Sequence, residues 1–134
     1  MNLSSSRWVP AEGATLLIPS GAVKHLFVML TSPSTDGLVV IANLTSIRVG
    51  LYHDPSCVVV SGDHPFVSHP SYIAYSRARI VTSRSLSHGV ASGDFVPRQR
   101  VDDVLFERIC KGALASDDLP QKIATFLQAH FANR

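Results

Sequence analysis

Nowhere does the sequence hold an apolar run approaching the roughly twenty residues a helix needs to span a membrane, so no membrane partner is expected. Its first stretch, "MNLSSSRWVPAEG", lacks the apolar segment of a secretory signal, and the expected location is the cytoplasm. Cysteine is scarce. Cys57 and Cys110 are the only two in 134 residues, and their spacing fits no zinc-finger or redox pattern, so two buried free thiols are expected. Charge of one sign is also missing: 12 Lys and Arg stand against 10 Asp and Glu, a formal net charge of +2. The chain as a whole is therefore no basic nucleic-acid binder, and such a surface must come from local clustering. Neither G-x-S-x-G nor H-E-x-x-H occurs, and "GDH" with its single glycine is no phosphate loop.

What is present is an ordinary globular composition, 46% hydrophobic and 16% charged, enough to bury a core without staples. One domain, 1–134, is expected, with 1–13 a flexible lead-in. Strands are predicted at Ala14–Pro19, Lys24–Thr31, Leu38–Ser46, Cys57–Gly62 and Ser71–Val81, the last being the longest. "SPSTDG" marks a hairpin turn before Leu38. "TSRSLSHGVASGDFVPRQR" reads as polar and turn-rich, with at most a short strand or helical turn. Val101, Val104, Leu105 and Ile109 then recur at helical spacing behind Asp102 and Asp103, with Gly112 as the expected stop. Ser116 or Asp118 is expected to cap a last helix, with Pro120 in its first turn and Ile123, Phe126 and Leu127 buried. Strands first and helices last (101–132) predict a mainly β, α+β fold: a small antiparallel barrel or curled sheet packed by C-terminal helices.

The chemistry concentrates in "GDHPFVSHPSYIAYSRARIV". Side chains alternate along a strand, so one continuous strand would put Tyr75, Arg77 and Arg79 on one face and Tyr72, Ala74, Ser76, Ala78 and Ile80 on the other. An aromatic beside two guanidinium groups suits stacking a base and holding phosphate. A solvated strand face is the plainer alternative. His64 and His69 lie in the preceding Pro-constrained loop, where two imidazoles can serve as acid and base or simply bond to backbone. A metal site on Cys57, His64 and His69, with His25, His53 or Asp63, is a further alternative. C-x6-H-x4-H is no ligand signature, and no metal or other cofactor is expected.

Taken in order, these segments resemble the PemK/MazF toxin family. "GAVKHLFVML" (21–30) resembles the family's "GGVRPVLV" run, with Lys24 at the usual arginine and His25 at the usual proline. "IANLTS" resembles the strand ending in a hydroxyl residue, placing Thr45 and Ser46 there. "PSYIAYSRARIVTSRSL" (70–86) runs without gaps along "DSVILLEQIRTIDKSRL", with Ser71, Ile73, Arg79 and Leu86 matching in type. The resemblance spans Pro19 to Phe126. It implies an SH3-like barrel and metal-independent, sequence-selective cleavage of single-stranded RNA, by a homodimer that a cognate antitoxin protein neutralises.

Carried onto this sequence, Lys24 and Arg79 would stabilise phosphate charge and Thr45 would orient it. His64 or His69 would move protons, while Tyr72, Tyr75, Arg77 and Ser46 would bind RNA. Three departures stand out. Lysine replaces arginine at Lys24, losing the planar fork; Ser76-Arg77 replaces Glu-Gln; and "GDHPFVSHPSY" is not the family's loop. A non-catalytic barrel that binds a protein or nucleic acid through the same surface is the alternative function.

Overall fold

The computed structural model describes residues 8–133. Strands β1 (Thr15–Ser20), β2 (Val23–Met29), β3 (Leu38–Ser46), β4 (Val58–Val59), β5 (Ser71–Ile73), β6 (Arg79–Thr82) and β7 (Val96–Arg98) are joined by helices α1 (Ser83–Ser92), α2 (Asp103–Ala115) and α3 (Gln121–Ala132). All pairings are antiparallel, in the order β4-β5-β3-β2-β1-β7, with β6 also on β3. The terminal strands of this order, β4 and β7, do not pair, so the sheet is curled rather than closed into the expected barrel.

The central strands read as unbroken apolar runs because both of their faces are covered. Along β3, Val40, Ala42 and Leu44 join a core with α2 and α3, through Leu105, Ile109, Ile123 and Leu127. Val39 and Ile41 join a second core with Leu86 of α1, against which Trp8 also packs. Residues 8–13 are thus partly anchored rather than a loose lead-in. Gly13 N–H bonds to the Met29 carbonyl at 2.8 Å, and its own carbonyl accepts from Val101 N–H at 3.0 Å. Residues 1–7 of that expected lead-in lie outside the described residues.

The predicted long strand 71–81 is two strands. β5 pairs with Leu44–Ser46 and β6 with Leu38–Ile41, so residues 74–78 pass where β3 offers only Ala42 and Asn43. The surplus folds into a single 3-10 turn, Tyr75–Arg77. Tyr75 is driven fully into the core, where its hydroxyl donates to the Ile109 carbonyl of α2 at 2.6 Å. Burial is also the chief reason its phenol is pushed well above the ordinary tyrosine range. Gly112 is not a stop but an interior α2 residue beneath that ring: a Cβ there would lie 2.6 Å from the Tyr75 hydroxyl and 2.9 Å from the Ser56 carbonyl. Cys57 and Cys110 are buried in the same core and form no disulfide, and burial raises Cys57 above its ordinary value.

Two further elements differ from expectation. The strand foreseen over Cys57–Gly62 shrinks to Val58–Val59. The polar stretch after residue 82 forms a ten-residue helix, α1, capped by the Thr82 side chain, which accepts from Ser85 N–H at 3.1 Å. Gly89 lets Phe95 lie directly on that helix, its ring 2.1 Å from where a Cβ would stand. At the other end of the chain Asp102 caps α2 through Leu105 N–H at 2.8 Å. α3 begins after Pro120 with no side-chain cap bond, while Ser116 instead accepts from Asp118 N–H at 3.0 Å.

The loop between β3 and β4 is pinned to the α2–α3 junction. Ser116 Oγ donates to Asp54 Oδ2 at 2.5 Å, Ser56 N–H to Asp54 Oδ1 at 2.9 Å, and the Tyr52 hydroxyl to Asp118 at 2.6 Å. The bond to Asp118 is the main reason Tyr52 rises to about 12. Burial of Asp54 favours its neutral form, but the hydrogen bonds from Ser116 and Ser56 outweigh it and hold the carboxyl below its ordinary value.

Two outcomes are expected. Gly112→Ala destabilises the protein by about 1–3 kcal/mol through overpacking. Tyr75→Phe costs about 1–2 kcal/mol for the lost bond, and part of the Gly112→Ala penalty disappears when the two are combined, as a double-mutant cycle in urea will read. Asp54, with its folded value below its unfolded one, adds stability that is present above the ordinary carboxyl range and lost as pH falls through the folded value. Urea midpoints between pH 7 and 2 therefore fall more steeply for the natural chain than for Asp54→Asn.

Candidate active site in the cleft between β2 and β3

β2 and β3 pair only over Phe27–Met29 and Ile41–Asn43. Beyond Asn43, β3 turns to pair with β5, and the start of β2 stays with β1. The strands part, and the segment Phe66–His69 lies across the opening. The result is a cleft of about 250 Å³ lined by Val23, Lys24, His25, Leu44, Thr45, Ser46, Arg48, Phe66, Ser68 and His69, among others. Its floor is the end of the first core, at Leu26, Leu44 and Val67. Its rim carries Val23 at 58% and Phe66 at 45% exposure.

Four residues chosen from sequence meet here: Lys24, Thr45, Ser46 and His69. His69 is exposed and held on both ring nitrogens, with Ser46 Oγ 2.6 Å from Nε2 and Ser68 Oγ 3.2 Å from Nδ1. Either neutral tautomer satisfies both contacts, because each serine hydroxyl can donate or accept. The His69 carbonyl accepts from the Ser71 hydroxyl at 3.1 Å, and Asn43 Nδ2 donates to Thr45 Oγ1 at 3.1 Å. An imidazole, an ammonium and two hydroxyls thus face one solvent-open opening, a set suited to phosphate binding and proton transfer.

The other chosen residues lie elsewhere. His64 is buried and engaged on both sides: Phe66 N–H donates to Nδ1 at 3.0 Å, and Nε2–H donates to the Gln99 carbonyl at 2.6 Å. That carbonyl also accepts from Thr15 Oγ1 at 2.9 Å, so His64 bridges the seam where the sheet fails to close. Its neighbour Asp63 is structural too, accepting from Val60 N–H and pairing with Arg108 of α2 at 3.4 Å. Tyr75 has no exposed face on which a base could stack, which removes the predicted Tyr75–Arg77–Arg79 row. Tyr72 is half-buried against His53, with ring centroids 5.6 Å apart, and does not line the cleft. Arg77 and Arg79 line a separate pocket with Ser20, Phe27 and Asn43.

Phe66, Arg48 and Ser68 are among the cleft residues not foreseen in a site role. His25, considered only as a metal ligand, is the second histidine of the cleft. Its place beside Lys24 on β2 was the available signal. Among the described residues no three His, Cys, Asp or Glu side chains converge as metal ligands, and Cys57 and His64 are committed to the interior.

By sequence, no family model and no curated protein matches this chain. Among solved structures, it is similar to a chain from the crystal structure of MazE–MazF (Form-II) from Deinococcus radiodurans. The superposition has a TM-score of 0.52 at 12% identity and covers 81% of this chain and 95% of that one. The fold is MazF-like. At that identity the likeness speaks for architecture, and the cleft chemistry rests on this chain's own residues. Among the described residues of this MazF-like fold, no helix is long and apolar enough to cross a membrane.

The two loop histidines are therefore expected to separate cleanly in stability. His64→Ala leaves the Phe66 N–H without its partner and opens the seam, a loss of about 2–3 kcal/mol. His69→Ala, at an exposed site, stays within about 0.5 kcal/mol. Urea denaturation of the two variants checks both.

Proposed function

We propose that this chain is the toxin component of a toxin–antitoxin system, an endoribonuclease that cuts single-stranded RNA in the β2–β3 cleft without a metal ion. The observation that carries the reading is the convergence of Lys24, Thr45 with Ser46, and His69, drawn from three separate segments, on one cleft. The MazF-like fold supports it.

In the proposed reaction the 2′-hydroxyl attacks the adjacent phosphorus and gives its proton to a base. The P–O5′ bond breaks, and the leaving oxygen takes a proton from an acid. The products are a 2′,3′-cyclic phosphate and a 5′-hydroxyl. His69 and His25 are the two cleft imidazoles that would serve as base and acid. Lys24 supplies positive charge for the phosphorane, as a point charge rather than a fork. Thr45 and Ser46 orient phosphate oxygens by hydrogen bonding, and Ser46 also fixes the His69 ring. Phe66, exposed at the rim, takes over the stacking role foreseen for Tyr75.

The proposed partners are single-stranded RNA, a cognate antitoxin protein and a second copy of the chain, and the proposed location is the cytoplasm. The similar solved chain comes from a MazE–MazF structure, which supports the antitoxin. The alternative, binding without cleavage, draws on the lysine at position 24.

Long single-stranded RNA incubated with the purified protein in EDTA is expected to yield fragments whose 5′ ends accept phosphate from a kinase without prior dephosphorylation. His69→Ala and Lys24→Ala each lower the rate by about 10²–10⁴-fold, while His64→Ala affects it only through stability. Salt-sensitive binding with no fragments would establish the alternative instead.

A further inference from the structure

The excursion at 74–78 leaves a second opening on the other side of Asn43. It is a pocket of about 190 Å³ lined by Ser20, Phe27, Asn43, Arg77 and Arg79. That is below the roughly 300–1,000 Å³ of a drug-sized site and suits one small flat group. Asn43 is only 3% exposed, and its Oδ1 is buried with no hydrogen-bond partner, a costly state for an amide oxygen. One Nδ2 hydrogen goes to Thr45, and the oxygen is the atom of this amide left with no partner for a ligand to meet. Arg77 and Arg79 are both exposed, and among the described residues neither is in a salt bridge. The Arg79 guanidinium lies 5.0 Å from the Phe27 ring centre, which holds the fork at the pocket.

We infer that this pocket is a guanine-selective nucleotide subsite. A base filling it must offer donors to Asn43 Oδ1 and acceptors to a guanidinium. Guanine alone carries the N7 and O6 acceptor pair that takes an arginine fork, together with N1–H and N2–H donors on the adjoining edge. Adenine replaces O6 with an amine, and the pyrimidines lack N7. One arginine reads the base and the other is left for a flanking phosphate. The Asn43–Thr45 bond joins the pocket to the cleft, so the guanine sits next to the phosphate held there. The inference rests on the proposed RNA binding, but not on cleavage.

Fluorescein-labelled eight-nucleotide RNAs with 2′-O-methyl riboses, which cannot be cut, test it by anisotropy. Oligo(U) with a single guanine, placed at each position in turn, is compared with the same oligomers carrying adenine. One guanine position is expected to bind about tenfold tighter than its adenine counterpart. Asn43→Ala abolishes that preference, and a cooperative thermal transition shows that the variant is folded. Arg79→Lys keeps oligo(U) affinity and loses the preference, and Arg77→Ala, at the arginine left for the flanking phosphate, lowers the salt slope by about 0.7. A guanine preference equal in the natural chain and both Asn43→Ala and Arg79→Lys, or absent throughout, overturns the subsite. Preference without fragments in the cleavage assay leaves the subsite standing and removes the nuclease. Fragments without preference do the reverse.

Discussion

A tyrosine hydroxyl buried in an apolar core has to find an acceptor, and in this protein it finds the Ile109 carbonyl. That single bond explains why a sequence with strand character from Ser71 to Val81 does not run straight. Tyr75 drops inward onto α2, residues 74–78 fold over Ala42 and Asn43, and the strand resumes as β6. Gly112 is the matching concession on α2, since a larger residue would meet the hydroxyl. The polar openings of the molecule follow from this break. Below it β5 draws the end of β3 away from β2, which opens the cleft, and beside it Asn43 is left facing two arginines.

The chain around these openings is firmly tied. His64 fastens the loop after β4 to the carbonyl beyond β7, Asp63 fastens it to α2, and Asp54 and Tyr52 fasten the preceding loop to the α2–α3 junction. Histidine therefore plays two roles within six residues. His64 holds the loop in place, and His69, at its free end, presents an imidazole to solvent. Fixing a site on a rigid frame is what allows polar groups to act on a phosphate without reorganising.

What was legible in the sequence was what depends on local pattern. β3 has its predicted limits, and β1, β2, α2 and α3 lie within a few residues of theirs, because apolar periodicity and turn residues set them. Lys24, Thr45 and Ser46 came from the resemblance of their segments to the PemK/MazF runs and His69 from its Pro-constrained loop, and all four line one cleft. The failures share one cause, tertiary contact overriding local preference. Alternation put Tyr75 beside Arg77 and Arg79, and only burial against α2 separates them. "SRSLSHGVAS" has weak helix formers, and α1 forms because Thr82 caps it and Leu86 and Phe95 hold it to the sheet. His64 and His69 look alike in a linear chain, since nothing local distinguishes a buried ring bonded to a distant carbonyl from an exposed ring held by two serine hydroxyls.

The central claim is that the β2–β3 cleft is where single-stranded RNA lies. The most direct measurement is a ¹⁵N-resolved NMR titration of the natural chain with an uncleavable 2′-O-methyl oligonucleotide. Shifts concentrated at Lys24, His25, Thr45, Ser46, Phe66 and His69 are the expected result. Shifts centred instead on the outer face of α2, or none at saturating oligonucleotide, would contradict the account.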